Sequence, residues 1–210
     1  MNPLDFYEKN DSRSLFPRIG AWLFRQRTWI PLPLALALLL LPREDSASSS
    51  QVLLGAVIVA FGEGVRLWAV RHIGVISRTR HDRLGPVIRT GPFAFVRNPL
   101  YLGNIAVWVG LAVSARLLWL VPIFIIVLGL EYHAIVRWEE DLLKQRRGDD
   151  YRDYATRVPR WLPSVVASRQ SPVASPIYSW RQTLFSERGT LIAIAVAFLL
   201  LWLKAAALPS

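Results

Sequence analysis

The chain has 210 residues, of which 53% are hydrophobic, with 25 Lys and Arg against 15 Asp and Glu. That is too apolar for an ordinary soluble domain. The basic residues fall between apolar segments, which points to an anionic membrane surface and away from nucleic acid. The complete lack of Cys excludes disulfides, thiolate metal sites and a cysteine nucleophile. Three scattered histidines, His72, His81 and His133, offer no metal-ligand spacing, so no metal site is expected.

The pattern predicts an all-α polytopic membrane bundle of about five transmembrane helices. Residues 1–28 are polar and then amphipathic: Phe16, Ile19, Trp22 and Leu23 share a helical face near Arg18, Arg25 and Arg27, as in a helix lying in the interface. No signal peptide is expected, because charged residues precede the first apolar run near Trp29. The run from Thr28 to Leu41 is short for a crossing and is expected to borrow GAWLF upstream, with Arg25 and Arg27 snorkelling. A polar loop leads to a second span, Val52 to Val70, in which Glu63 and Arg66 are spaced to pair on one face.

A basic connector, residues 71–98, precedes the third span, Tyr101 to Ala115, which turns at Ser114-Ala115-Arg116 into a fourth beginning at Leu117. That fourth helix runs past the membrane as RWEEDLLKQRR. Residues 148–163 are polar and aromatic and are expected to dock beneath the bundle. The chain thus divides into an interfacial segment (1–28), a membrane core with its cap (29–163), a Ser/Pro-rich linker (164–189) and a last span (190–208). The N-terminal segment, the 71–98 connector and the 137–189 region carry 5, 6 and 10 Lys and Arg, whereas the opposite loops and the C-terminus hold only Arg43, Arg116 and Lys204. The positive-inside rule therefore predicts an N-terminus in the cytoplasm and a C-terminus outside.

The stretch RTGPFAFVRNPLYLGN, residues 89–104, concentrates the local signals. Gly91-Pro92 marks a turn, and Asn98-Pro99 reads as an N-cap followed by Pro at the first helical position. A helix N-terminus beside Arg97 is a seat for a small anion. At the end of the fourth helix, His133, Arg137 and Glu140 share one face, and Tyr132 and Glu139 the next. An anion seat beside carboxylates suits a zwitterionic ligand, whose amine or ribose hydroxyls the acidic groups would take.

GPFAFVRNPLYLG, then RWEEDLL, then DDYRDYATRVPRWLP together resemble the isoprenylcysteine carboxyl methyltransferase and phospholipid methyltransferase superfamily of integral membrane methyltransferases. GEGVRLWAVRHIG in the second span adds to the likeness, which covers roughly residues 62–163. The resemblance implies S-adenosylmethionine as cofactor, held at the cytoplasmic face, and a lipid or other hydrophobic small molecule as methyl acceptor. It assigns Arg97, Asn98, Pro99, Tyr101 and Gly103 to the cofactor site, together with the acidic pair Glu139 and Glu140, with His133 and Arg137 alongside. Arg97, Glu139 and Glu140 are the candidate catalytic residues, and Tyr151, Tyr154 and Arg160 the cap over the pocket. Asn98 departs from the family pattern, which has His there; Asn keeps hydrogen-bonding capacity but cannot act as a base near neutral pH. The acceptor atom, whether carboxylate oxygen, amine or thiol, stays open. The expected setting is a bacterial inner membrane. Two other readings remain: a membrane reductase binding NADPH on a related bundle, and a non-catalytic membrane protein.

Overall fold

The computed structural model describes residues 15–27, 29–42, 49–74, 87–164 and 177–207. The tail before residue 15, the loop 43–48, much of the basic connector (75–86) and of the linker (165–176) lie outside the described residues, as do the side chains of Phe16 and Arg18. The described residues form six helices and no strand: α1 Leu15–Gln26, α2 Pro31–Leu40, α3 Ser49–Ile73, α4 Pro99–Ser114, α5 Leu120–Arg157 and α6 Trp180–Ala207. This is a helical membrane bundle. Helices α3, α5 and α6 are long and apolar enough to cross a membrane, whereas α2 and α4 are apolar but shorter.

Helix α1 does not run on into α2, contrary to the expectation of one borrowed span. It ends at Gln26, and α2 restarts at Pro31. Pro31 and Pro33 have no amide hydrogen to donate to the preceding turn, so the helix is interrupted there. Ile30 reaches Gln26 O at 3.2 Å, and Leu32 reaches Trp29 O at 3.0 Å, as the chain turns. Ile19 and Trp22 on α1 are exposed, as an interfacial helix requires, while Gly20 and Ala21 face α5. A Cβ on Gly20 would stand 2.2 Å from Ala134 O, so only hydrogen fits. Phe24 packs on Trp138 with ring centroids 5.0 Å apart.

The closest helix pair is α3 with α4. Glycines spaced by seven on each helix, Gly55 and Gly62 facing Gly110 and Gly103, let the backbones approach. A Cβ on Gly62 would lie 2.8 Å from Gly103 O, and one on Gly110 2.7 Å from Gly55 O. Small residues at such a crossing are the usual device for packing helices in lipid, where no hydrophobic force drives them together. Helix α4 ends as expected near Ser114. Leu117 N donates to Ala112 O at 3.0 Å and Arg116 N to Val113 O at 3.0 Å, the Schellman pattern, with Arg116 itself at φ 61°. From there Leu117 in the turn, then Leu120, Phe124, Leu128 and Ile135 down α5, form the buried core.

Helix α5 continues for 38 residues and bends at Gly148, whose φ of 51° is outside the helical range. Beyond the bend it carries the Tyr151–Tyr154 segment back toward the start of α4. Helix α6 begins ten residues before the expected Thr190. Its start is a capping box: Gln182 N donates to Ser179 Oγ at 3.3 Å, and Ser179 N to Gln182 Oε1 at 2.9 Å. Lys204, near the other end of α6, donates to Leu38 O and Leu41 O at 2.7 and 2.6 Å, satisfying carbonyls at the end of α2.

Candidate functional site

The site is assembled where the loop before α4 meets the chain leaving α5. Gly91–Ala94 forms one short 3-10 turn, opened by Gly91 at φ 60° with the His72 ring pressed against it. His72 Nδ1 lies 2.9 Å from Thr90 Oγ1. The segment 95–97 is then held by the returning chain: Arg97 N donates to Pro159 O at 2.9 Å and Ser164 N to Phe95 O at 2.9 Å. Tyr154 locks the same turn, its hydroxyl donating to Phe93 O at 2.8 Å. The predicted docking of residues 148–163 is thus a set of named bonds.

At the centre, Glu140 is 2% exposed and accepts from two guanidiniums. Arg160 grips it with Nε to Oε1 at 3.0 Å and Nη2 to Oε2 at 2.7 Å, while Arg97 Nη1 stands 2.9 Å from Oε1. The planar fork of Arg160 matches the carboxylate, which makes this the strong form of ion pair. Its hydrogen bond to Glu140 lifts the Arg160 guanidinium above its already high ordinary pKa. Arg97 also lies beside Tyr151, and among the described residues its buried Nε has no hydrogen-bond partner. Asn98 occupies the N-cap position of α4 but makes no side-chain cap. Its amide donates to Arg160 O at 3.2 Å, so the side chain ties the two arms of the site together.

Glu139 points elsewhere. Tyr101, in the first turn of α4, donates its hydroxyl toward both Glu139 oxygens at 3.1 Å. Tyr101 also stacks on Tyr132 with centroids 4.8 Å apart. A carboxylate has about four lone-pair positions, so one phenol leaves Glu139 with accepting capacity, whereas three guanidinium N–H groups converge on Glu140. His133 accepts from Trp161 Nε1 at 3.3 Å and stacks on that indole. Arg137 is exposed, Pro99 is buried as the first residue of α4, and Gly103 sits against Arg66 and Gly62 at the α3–α4 crossing.

The structure therefore brings Arg97, Asn98, Glu140, Tyr151 and Arg160 into one cluster, adds Tyr154 beneath it, and sets Tyr101 with Glu139 beside it. Sequence reading did not single out Trp161, although it directly follows Arg160 in the RWLP stretch, nor Asn104, one turn beyond Tyr101. It also did not single out Glu187, on a segment read as linker.

Residues 50–149 match the model of the phospholipid methyltransferase family. The chain is 32% identical over 111 residues to the nickel-cobalt-cadmium resistance protein NccN of Alcaligenes xylosoxydans xylosoxydans, covering 53% of this chain and 47% of that one. It is 28% identical over 148 residues to the cobalt-zinc-cadmium resistance protein CzcN of Cupriavidus metallidurans, covering 70% of this chain and 63% of the relative. The matched part thus spans less than two thirds of each relative. No solved structure matches. The matched segment begins with α3 and includes Arg97, the start of α4 and the acidic pair on α5, so the part of the chain that carries the candidate site is similar to the phospholipid methyltransferase family of integral membrane methyltransferases.

Proposed function

We propose that this protein is an S-adenosylmethionine-dependent methyltransferase of a bacterial inner membrane, acting on a lipid or another hydrophobic small molecule. The observation that carries the reading is the division of labour in the acidic pair: Glu140 is gripped by the guanidiniums of Arg97 and Arg160, whereas Glu139 accepts from the Tyr101 phenol. The cofactor would supply a sulfonium methyl already activated for transfer, so the protein's work is alignment and exclusion of water. The unpartnered Nε of Arg97, beside the positive end of α4, suits the carboxylate of an amino-acid ligand. Glu139 retains room for an amine or ribose hydroxyl, and Tyr101 fixes its direction. For an acceptor that arrives protonated, Glu139 is the residue on hand to take the proton.

Binding decides the matter. S-adenosylhomocysteine should stabilise the detergent-solubilised protein, by about 2.7 kcal/mol at a hundredfold excess over its dissociation constant, and NADPH should not. Stabilisation by NADPH alone would replace this reading with the reductase one. The basic-residue bias supports a cytoplasmic N-terminus and an outside C-terminus; reporter fusions at Ser175 and at the C-terminus should read inside and outside respectively.

The names of the two relatives favour a second, compatible reading, in which the methyltransferase serves resistance to metals such as nickel, cobalt, zinc or cadmium. Deleting the gene should lower metal tolerance, and a Glu139→Gln copy should fail to restore it. Full rescue by that copy would separate the resistance role from methyl transfer.

A further inference from the structure

A second knot of charge lies deeper in the bundle, and half of its bonding comes from α6, outside the family segment. Arg66 on α3 donates from Nε to Glu63 Oε2 at 3.0 Å and from Nη2 to Glu187 Oε2 at 2.5 Å. Nη2 also reaches Thr190 Oγ1 at 3.3 Å, and Nη1 donates to Asn104 Oδ1. Arg66 is 9% and Glu187 2% exposed, so this guanidinium is buried among its protein partners. A guanidinium used up in this way holds its neighbours in place; it has no edge left for a ligand.

What it holds leads back to the site. Asn104, whose Oδ1 is taken by Arg66, also lies against Tyr132. The Tyr132 ring lies on Tyr101, which in turn orients Glu139. The path from Glu187 to Glu139 is continuous: carboxylate, guanidinium, amide, two phenols, carboxylate.

We propose that Glu187 is a positioning residue for the methyl-transfer site, acting through Arg66, Asn104 and Tyr132 on the Tyr101–Glu139 pair, so that α6 completes the site and is more than an anchor. This rests on the function proposed above. The bundle contains its own control, because α6 is also clasped at its far end by Lys204 on Leu38 O and Leu41 O. Removing that clasp loosens α6 without touching the path.

The experiment titrates S-adenosylhomocysteine into purified full-length protein and variants in detergent, with folding checked by gel filtration and melting temperature. Glu187→Gln and Arg66→Gln should each weaken binding roughly three- to thirtyfold, and the double variant should be no weaker than the worse single one. Lys204→Met should lower the melting temperature and leave affinity unchanged. If Arg66→Gln does not fold, Tyr132→Phe, which cuts the same path with less disruption, takes its place in the cycle. Wild-type affinity in Glu187→Gln overturns the proposal. So does equal weakening in Lys204→Met, which would make α6 a plain anchor, or simple additivity in the double variant. Failure of the wild type to bind would overturn the function itself, a result distinct from any of these.

Discussion

The two charged knots of this bundle are mirror images in sign. Near the start of α4 a carboxylate, Glu140, lies between the guanidiniums of Arg97 and Arg160; between α3 and α6 a guanidinium, Arg66, lies between the carboxylates of Glu63 and Glu187. The first leaves a surplus of positive charge beside a helix N-terminus, an arrangement that attracts an anionic ligand group. The second leaves a surplus of negative charge inside a membrane bundle and is closed by Asn104 and Thr190. Their burial also differs. Arg97 and Glu140, at 12% and 3% exposed, are as enclosed as Arg66, Glu63 and Glu187 at 11%, 7% and 2%, so the opening lies at Arg160, whose side chain is 25% exposed. An open knot can exchange partners with a ligand; a closed one can only transmit position.

The comparison is broken most severely at Arg66. Arg66→Ala removes the guanidinium from between two buried carboxylates, and removing one partner of a buried pair costs about 3–5 kcal/mol; denaturant unfolding in detergent should read a loss of that order. Glu140→Ala strands two guanidiniums as well, but Arg160 can turn to water, so the loss of its charge-assisted bonds should cost about 1.5–3 kcal/mol by the same measurement. If the two substitutions cost the same, the difference in burial has no energetic meaning. Gly103→Ala tests the closed knot through packing, since the new Cβ would sit 2.6 Å from Arg66 Cγ and 2.7 Å from Gly62 O. Overpacking of this kind costs about 1–3 kcal/mol, and melting should fall accordingly. The smallest effect is expected from Asn98→His. The native amide makes one 3.2 Å bond to Arg160 O and no helix cap, so the loss should stay at or below about 1 kcal/mol with cofactor affinity retained.

How far each region was legible follows from how local its causes are. The Gly91-Pro92 turn, the Pro99 helix start, the turn after Ser114 and the Glu63–Arg66 pair all depend on residues within a few positions of each other, and all are found. The start of α6 was equally local, in Ser179 and Gln182, and was overlooked because a Ser- and Pro-rich composition masked a capping box. The face shared by His133, Arg137 and Glu140 was a weaker guide. Periodicity places residues around a helix, but which of them is buried depends on the neighbouring segment. Here that segment is 158–164, which buries Glu140 and leaves Arg137 exposed.

By itself the sequence determined a helical membrane protein in which every second loop is basic, and three ordered motifs that resemble those of a methyltransferase superfamily. Hydrophobic runs, charge bias and turn residues act over short distances, and lipid demands that each helix satisfy its own backbone. Only the tertiary structure decided which of two adjacent glutamates two guanidiniums grip, and that a carboxylate 121 positions away closes on Arg66. Those outcomes depend on where charged side chains find partners when water is withdrawn. The pairing is set by the packing of α3, α4, α5 and α6, which no window along the chain contains.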